Sequence, residues 1–145
     1  METRARDLSY RARARREITL SVYLRPQDGD AARVRFARSA LTSTGEIAGT
    51  TVDLSEGGIG IIVDTYVPRW CRVWVRIPSP IEGHPPLLAV GGAVHRCVMC
   101  DRRPAYLLGI GFPDITAEER TAIAALLDEA EEAGLIDGPA EGATC

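Results

Sequence analysis

The chain contains no lysine; all 17 of its basic residues are arginine. A surface built for general nucleic-acid binding usually mixes the two, and an acid-rich C-terminal end works against one. A nucleic-acid polymer is therefore not an expected partner. A GC-rich coding sequence explains the bias by itself, yet its consequence is chemical. Arginine offers a planar fork for phosphates and guanine edges, and lysine does not. Long apolar runs are also missing. None approaches the roughly 20 residues of a membrane helix, so membrane insertion is not expected. The basic start, "METRARDLSYRARARRE", is followed by no apolar block and does not read as a secretory signal. The expected location is the cytoplasm, where four cysteines do not argue for disulfides. Catalytic patterns are absent too. There is no Walker-type phosphate loop, no G-x-S-x-G elbow around Ser55 and no paired-carboxylate site, and His84 and His95 have no nucleophile beside them. A non-enzymatic protein is expected.

At 145 residues the chain is long enough for one domain with a real core. Its small net charge of −3 conceals a gradient. Up to Arg38 there are ten Arg against five acids, and from Asp114 onward nine acids against one Arg. Residues 1–16 read as a flexible Arg-rich arm, 17–134 as the folded domain and 135–145 as a disordered tail. Period-two alternation predicts strands at 18–24 and 69–78, and 47–54, 59–64, 87–99 and 105–112 also read as strands. Gly, Pro and Asp clusters separate them, and 32–41 fits strand or helix equally. Thr116 and Glu119 form a T-x-x-E capping box. Ile123, Leu126, Leu127 and Ala130 then share one face of an amphipathic helix, and Gly134 supplies its stop. Several short strands and one terminal helix suggest a small β-barrel, because closure removes exposed edges.

The stretch "TVDLSEGGIGIIV" (51–63) places Asp53, Ser55 and Gly58 in a D-x-S-x-x-G pattern between two strand-like runs. That is more polar equipment than a bend requires. Glycine at such a turn is expected to supply a positive φ. Asp53 and Ser55 either bond their own backbone as turn residues or face a ligand. Upstream, "RARAR" spaces Arg11 and Arg15 four apart, either as solvated charges or as a gripping pair, with Arg16 an alternative second member.

Taken together, the Arg-rich arm, "DLSEGG" and "GIGFPDITAEER" make residues 11 to 133 resemble a PilZ domain. The resemblance implies an all-β fold, a six-stranded antiparallel barrel with a C-terminal α-helix, that binds the bacterial second messenger cyclic di-GMP. It implies ligand-binding roles for Arg11 and Arg15 on phosphates and guanines, with Asp53, Ser55 and Gly58 as the second wall. The chemistry suits such a ligand. Guanidinium forks bond guanine O6 and N7 or a phosphate, an ionised Asp accepts from the guanine N–H edge, and a hydroxyl does both. The implied function is a receptor that relays the messenger to an unidentified protein partner. The alternative is a PilZ-like adaptor that binds no nucleotide.

Two further groupings have other readings. Cys97 and Cys100 form C-x-x-C, with His95 on the same expected strand face as Cys97 and with Cys71 earlier. These are zinc-ligand types, but a second C-x-x-C is missing, and a packed Cys71 beside a turn-adjacent Cys100 is the expectation. Trp70 and Trp74 lie four apart on one predicted strand face, and core packing is expected of them rather than base stacking.

Overall fold

The computed structural model of the protein describes residues 16–31, 36–100 and 105–134. Among the described residues seven strands appear in chain order: β1 (Arg16–Glu17), β2 (Ser21–Pro26), β3 (Ile47–Ser55), β4 (Gly58–Val63), β5 (Arg72–Ile77), β6 (Leu88–Met99) and β7 (Tyr106–Gly111). A single turn of helix lies at Asp28–Ala31, a 3-10 turn at Arg38–Ala40, and the C-terminal helix at Ala117–Glu132. The strands run β3-β2-β5-β6-β7-β4, and β4 pairs back onto β3. Every pairing is antiparallel. Six strands thus close into a barrel, as expected, and β1 adds two residues along the far part of β3.

Alternation fills the interior. Val73, Val75 and Ile77 of β5, Ile59, Ile61 and Val63 of β4, and Leu108 and Ile110 of β7 are all buried. Their neighbours in each strand face outward, as a period of two requires. The C-terminal helix begins with the expected capping box. Thr116 Oγ1 accepts from the Glu119 amide at 3.1 Å, and Glu119 Oε1 accepts from the Thr116 amide at 3.0 Å. Ile123, Leu126, Leu127 and Ala130 join the barrel core, so this helix plugs the barrel against β6 and β3. Gly134, at φ +76°, follows the helix in the left-handed region that glycine tolerates.

The expected strand at 18–24 is interrupted. The register on β3 slips by one residue between the pair Glu17 and Asp53 and the pair Ser21 and Thr50. Buried Thr51 bridges the slip. Its hydroxyl donates to the Ile18 carbonyl at 2.6 Å and accepts from the Leu20 amide at 2.8 Å. One side chain therefore satisfies the two backbone groups that the ladder misses, which is what burial demands of them.

The tryptophans do not enter the core. Trp70 is 55% exposed and Trp74 46% exposed. Trp70 precedes β5, and Trp74 falls on the outward parity of that strand, where Val73 and Val75 occupy the inward one. Its ring lies over Gly91 of β6, where an added Cβ would come within 3.0 Å of it. Of 32–41, the described part is a turn and not a strand.

Two contacts hold the barrel surface in place. Glu46, buried at the start of β3, takes a bidentate bond from Arg76 of β5: Nε to Oε2 at 3.0 Å and a terminal nitrogen to Oε1 at 2.7 Å. Arg76 also stacks over Tyr23, 4.7 Å from the ring centre. The second contact is the approach of β4 to β7. Gly58 pairs with Gly111, and a Cβ on Gly58 would lie 2.5 Å from the Ile110 carbonyl oxygen. No rigid backbone atom can yield that distance.

Two outcomes follow from these contacts. The Arg76 bond, and next the Thr44 hydroxyl, hold the Glu46 pKa below its ordinary 4.5 against the opposing effect of burial. A lowered acid pKa stabilises the fold fully above the unfolded value, and the contribution disappears as pH falls through the folded one. The urea midpoint of the wild type therefore drops below pH 4.5 more steeply than that of Glu46→Gln, with the difference at neutral pH about 1 kcal/mol because Arg76 is partly exposed and screened. Gly58→Ala costs about 1–3 kcal/mol, read as a lower thermal midpoint, because the barrel seam must open to admit the methyl.

Candidate ligand-binding site

The β3–β4 hairpin has a two-residue loop, Glu56 and Gly57, between paired Ser55 and Gly58. The Ser55 hydroxyl accepts from the Gly57 amide at 3.2 Å and donates to the Gly58 carbonyl at 3.5 Å. Ser55 thus performs the turn role that its residue type allows. The glycines do not perform theirs as expected. The described glycines with positive φ are Gly45, Gly83 and Gly134, and neither Gly57 nor Gly58 is among them. Gly58 is required by the backbone approach at the seam and not by the bend.

Asp53 reaches the outer surface through a bulge. The β3–β4 register shifts between Thr51 and Asp53, so Thr51 and Val52 are both buried and Asp53 then emerges opposite Gly60. Its carboxylate leans over that glycine: Oδ1 lies 2.8 Å from the place where a Gly60 Cβ would sit. Glu17 of β1 stands directly across from Asp53 on the other side. Two carboxylates thus share one face in facing positions, an arrangement that is unfavourable without positive charge nearby.

Arg16 is placed differently. It pairs with Leu54, whose side chain is in the core, and its guanidinium meets Glu131 of the C-terminal helix at 3.3 Å. It therefore lies against the helix, and Glu17 takes the position across from Asp53. Arg11 and Arg15 lie outside the described residues.

Beside Asp53 and Ser55 the barrel surface is stripped of side chains. Gly58 and Gly60 of β4 pair with Gly111 and Gly109 of β7. All four face outward, because Ile59, Ile61, Leu108 and Ile110 between and beside them face inward. A second bulge closes the far side. The β6–β7 register shifts between Val94 and Arg96, leaving His95 as the extra residue. Its ring lies over the glycines of β7, 3.3 Å from a Gly109 Cβ position and 3.1 Å from that of Gly111. The result is a surface of four outward glycines over which Asp53 leans from the β3 side and His95 from the β6 side.

The bulge also separates His95 from Cys97. His95 is exposed and Cys97 packs against the core, so the two do not share the face that simple alternation predicts. Cys71 is buried in the core, as expected, and Cys97 packs against it; neither is in a disulfide. Among the described residues no group of three His, Cys, Asp or Glu comes together as a metal site. Nor is any helix among them long and apolar enough to cross a membrane.

Glu17 and His95 are the members of this surface that motif reading passes over. The repeated G-I-G at 58–60 and 109–111 is a visible signal, since glycine at alternate strand positions marks a close approach. Which strands pair there is not visible in the sequence.

Comparison with solved structures finds the same fold in the inhibitor of motility MotI/DgrA of Bacillus subtilis, with a TM-score of 0.56 and 15% identity over 83% of this chain. The match covers 50% of that protein, so the chain spans about half its length. The PilZ domain of CeSA from a cellulose-synthesizing bacterium matches at TM-score 0.49 and 18% identity, covering 81% of this chain and 97% of that one. The PilZ domain of YcgR from Escherichia coli, solved with c-di-GMP, matches at TM-score 0.47 and 13% identity, covering 83% and 93%. No curated protein matches the sequence. The PilZ domain model matches residues 10–129, which spans the arm motif, the D-x-S-x-x-G hairpin, the closed barrel and most of the helix that plugs it; the chain is a member of the PilZ domain family.

Proposed function

We propose that the protein is a cyclic di-GMP receptor whose ligand lies on the outer face of the barrel, with Asp53, Ser55 and Gly58 as one wall and Arg11 and Arg15 as the other. Many members of the family bind this messenger, and the domain is typically a non-catalytic receptor. The observation that carries the reading is the placement of Asp53. A bulge turns its carboxylate outward beside a floor of bare backbone, where an acceptor can meet the N–H edge of a guanine.

The arm fits this corner by charge. In the sequence Arg15 comes two residues before Glu17, the residue across from Asp53. A guanidinium there relieves the facing carboxylates and still has donors for a phosphate or for guanine O6 and N7. Charge-assisted bonds of this kind offset the entropy of ordering the arm. Arm and ligand together form a surface that exists only in the bound state, and this surface is what a partner protein would read. The adaptor alternative draws on one observation, the engagement of the Ser55 hydroxyl by its own turn.

Calorimetry with cyclic di-GMP separates the two. Wild type gives a saturable heat, Asp53→Ala and the double variant Arg11→Ala, Arg15→Ala each lose at least about tenfold in affinity, and both variants keep the wild-type thermal midpoint within a few degrees. Silence of the folded wild type at high micromolar ligand selects the adaptor. Gly60→Ala gives a more selective outcome. Its methyl meets only the mobile end of the Asp53 carboxylate, 2.8 Å away, so the variant folds but binds several-fold more weakly.

A further inference from the structure

We infer that the groove between the C-terminal helix and the β5–β6 loop is a docking site for a partner protein, and that its occupant is a basic amphipathic helix. The inference stands apart from the nucleotide reading and uses none of its residues.

The groove follows one side of the helix. Leu126, Glu129, Ala130 and Ala133 line it at i, i+3, i+4 and i+7, which is two turns or about 10 Å of helix. Leu126 and Ala130 are buried at its base, and Glu129 and Ala133 are exposed at its rim. Short side chains at 130 and 133 keep the helix surface low. Leu20, Ile77 and Leu87 continue the apolar lining on the barrel side. The space enclosed is about 630 Å³, within the roughly 300–1,000 Å³ of ordinary binding pockets.

The outer wall is a loop held in one shape. The Ser79 hydroxyl accepts from the Ile81 amide at 3.1 Å, and the Ile81 carbonyl accepts from the His84 amide at 3.2 Å. Gly83, at φ +85°, turns the chain in the left-handed region, and the Leu87 amide returns to the Ile77 carbonyl at 2.8 Å. This turn presents Ile81 along the groove with 56% of its surface exposed. A large apolar side chain held open to water beside an apolar groove marks an interaction surface. A wall that is already ordered loses little freedom when a partner arrives.

Charge identifies the partner's chemistry. Asp128, Glu129, Glu131 and Glu132 crowd the last five residues of the helix, and its last turn has no basic residue. Carboxylates are unfavourable at a helix C-terminus, and cations are favoured there. Arg16 answers Glu131 at 3.3 Å. Among the described residues no arginine lines the groove, and Glu82, next to Ile81, is an exposed carboxylate on the opposite wall. An apolar channel with acidic rims fits a helix whose apolar side enters it and whose Arg or Lys side chains reach the rims. The sequence past Gly134 adds Asp137 and Glu141 and no basic residue, so this chain's own continuation does not supply that charge.

The test titrates the full chain with two short fluorescent helical peptides that share one leucine face. One carries lysine on its other face and the second carries glutamate. By anisotropy at low salt the lysine peptide binds at least about tenfold more tightly than the glutamate peptide. Ile81→Ser and Ala133→Trp change exposed positions, keep the thermal midpoint within a few degrees, and each weaken the lysine peptide about five- to tenfold. The double variant Glu129→Gln, Glu132→Gln weakens it about threefold, and this difference shrinks at high salt. In methyl-labelled protein the lysine peptide shifts the signals of Ile81, Leu87 and Leu126. Lysine-peptide binding that ignores both Ile81→Ser and Ala133→Trp overturns the site, and so does silence at high micromolar peptide. A glutamate peptide that binds equally well overturns the charge argument. If the wild type is a dimer that Ile81→Ser dissociates, the groove belongs to a second copy and the inference fails. It fails also if the double variant Leu135→Ser, Ile136→Ser takes up peptide that wild type refuses, since the chain's own continuation is then the occupant. None of these results bears on cyclic di-GMP binding, which is read in its own titration.

Discussion

Everything on this molecule's outer face depends on how closely β4 can approach β7. That seam, together with the pairing of β4 to β3, closes the sheet into a barrel. The Gly58 position lies 2.5 Å from a carbonyl oxygen, so the closure tolerates no side chain there. Gly58, which permits closure, and Gly60, Gly109 and Gly111 beside it put no side chains of their own on the external face of the seam. Structure and candidate function are therefore not separable at these positions. The glycine of the D-x-S-x-x-G pattern serves the seam, and the polar residues of the pattern serve the surface beside it.

Two bulges shape the surface outside this seam. Alternation by itself would run Asp53 in phase with the inward positions of the upper part of β3, and would put His95 and Cys97 on one face. An extra residue in β3 at Val52 and another in β6 at His95 change those phases. Each aims one side chain over the outward glycines, Asp53 from the β3 side and His95 from the β6 side. A third irregularity, the slip between β1 and β2, is repaired by the Thr51 hydroxyl, and it brings Glu17 across from Asp53. Three departures from regular pairing thus surround one patch, on a barrel whose other pairings keep an even register. Irregular pairing tolerated in one place is the usual mark of a surface selected for something other than stability.

The remainder of the barrel is conventional packing with one electrostatic fastening. Valine, isoleucine and leucine at alternate positions fill the interior, and the C-terminal helix closes it with four apolar residues on one side. The bond from Arg76 to Glu46 ties the turn before β3 to β5, on the side of the barrel away from the β4–β7 seam. Its role is to hold the entry to the strand that carries Asp53 and Ser55.

Much of this was legible before any coordinates. Capping residues, helix face and strand positions are local properties, set by hydrogen bonding and by periods of 3.6 and 2 within a few residues, and they stand at Thr116, Glu119, Ile123 and Leu126 as the pattern indicates. The D-x-S-x-x-G pattern is local as well, and it lies on the β3–β4 hairpin. Tertiary structure alone decided which side each residue faces wherever the count of residues between paired strands changes by one. A bulge is a property of two strands, so nothing in one strand's sequence announces it. For that reason the outward turn of Asp53, the seat of His95 over two glycines of another strand, and the exposure of Trp74 over Gly91 emerged only from the pairing.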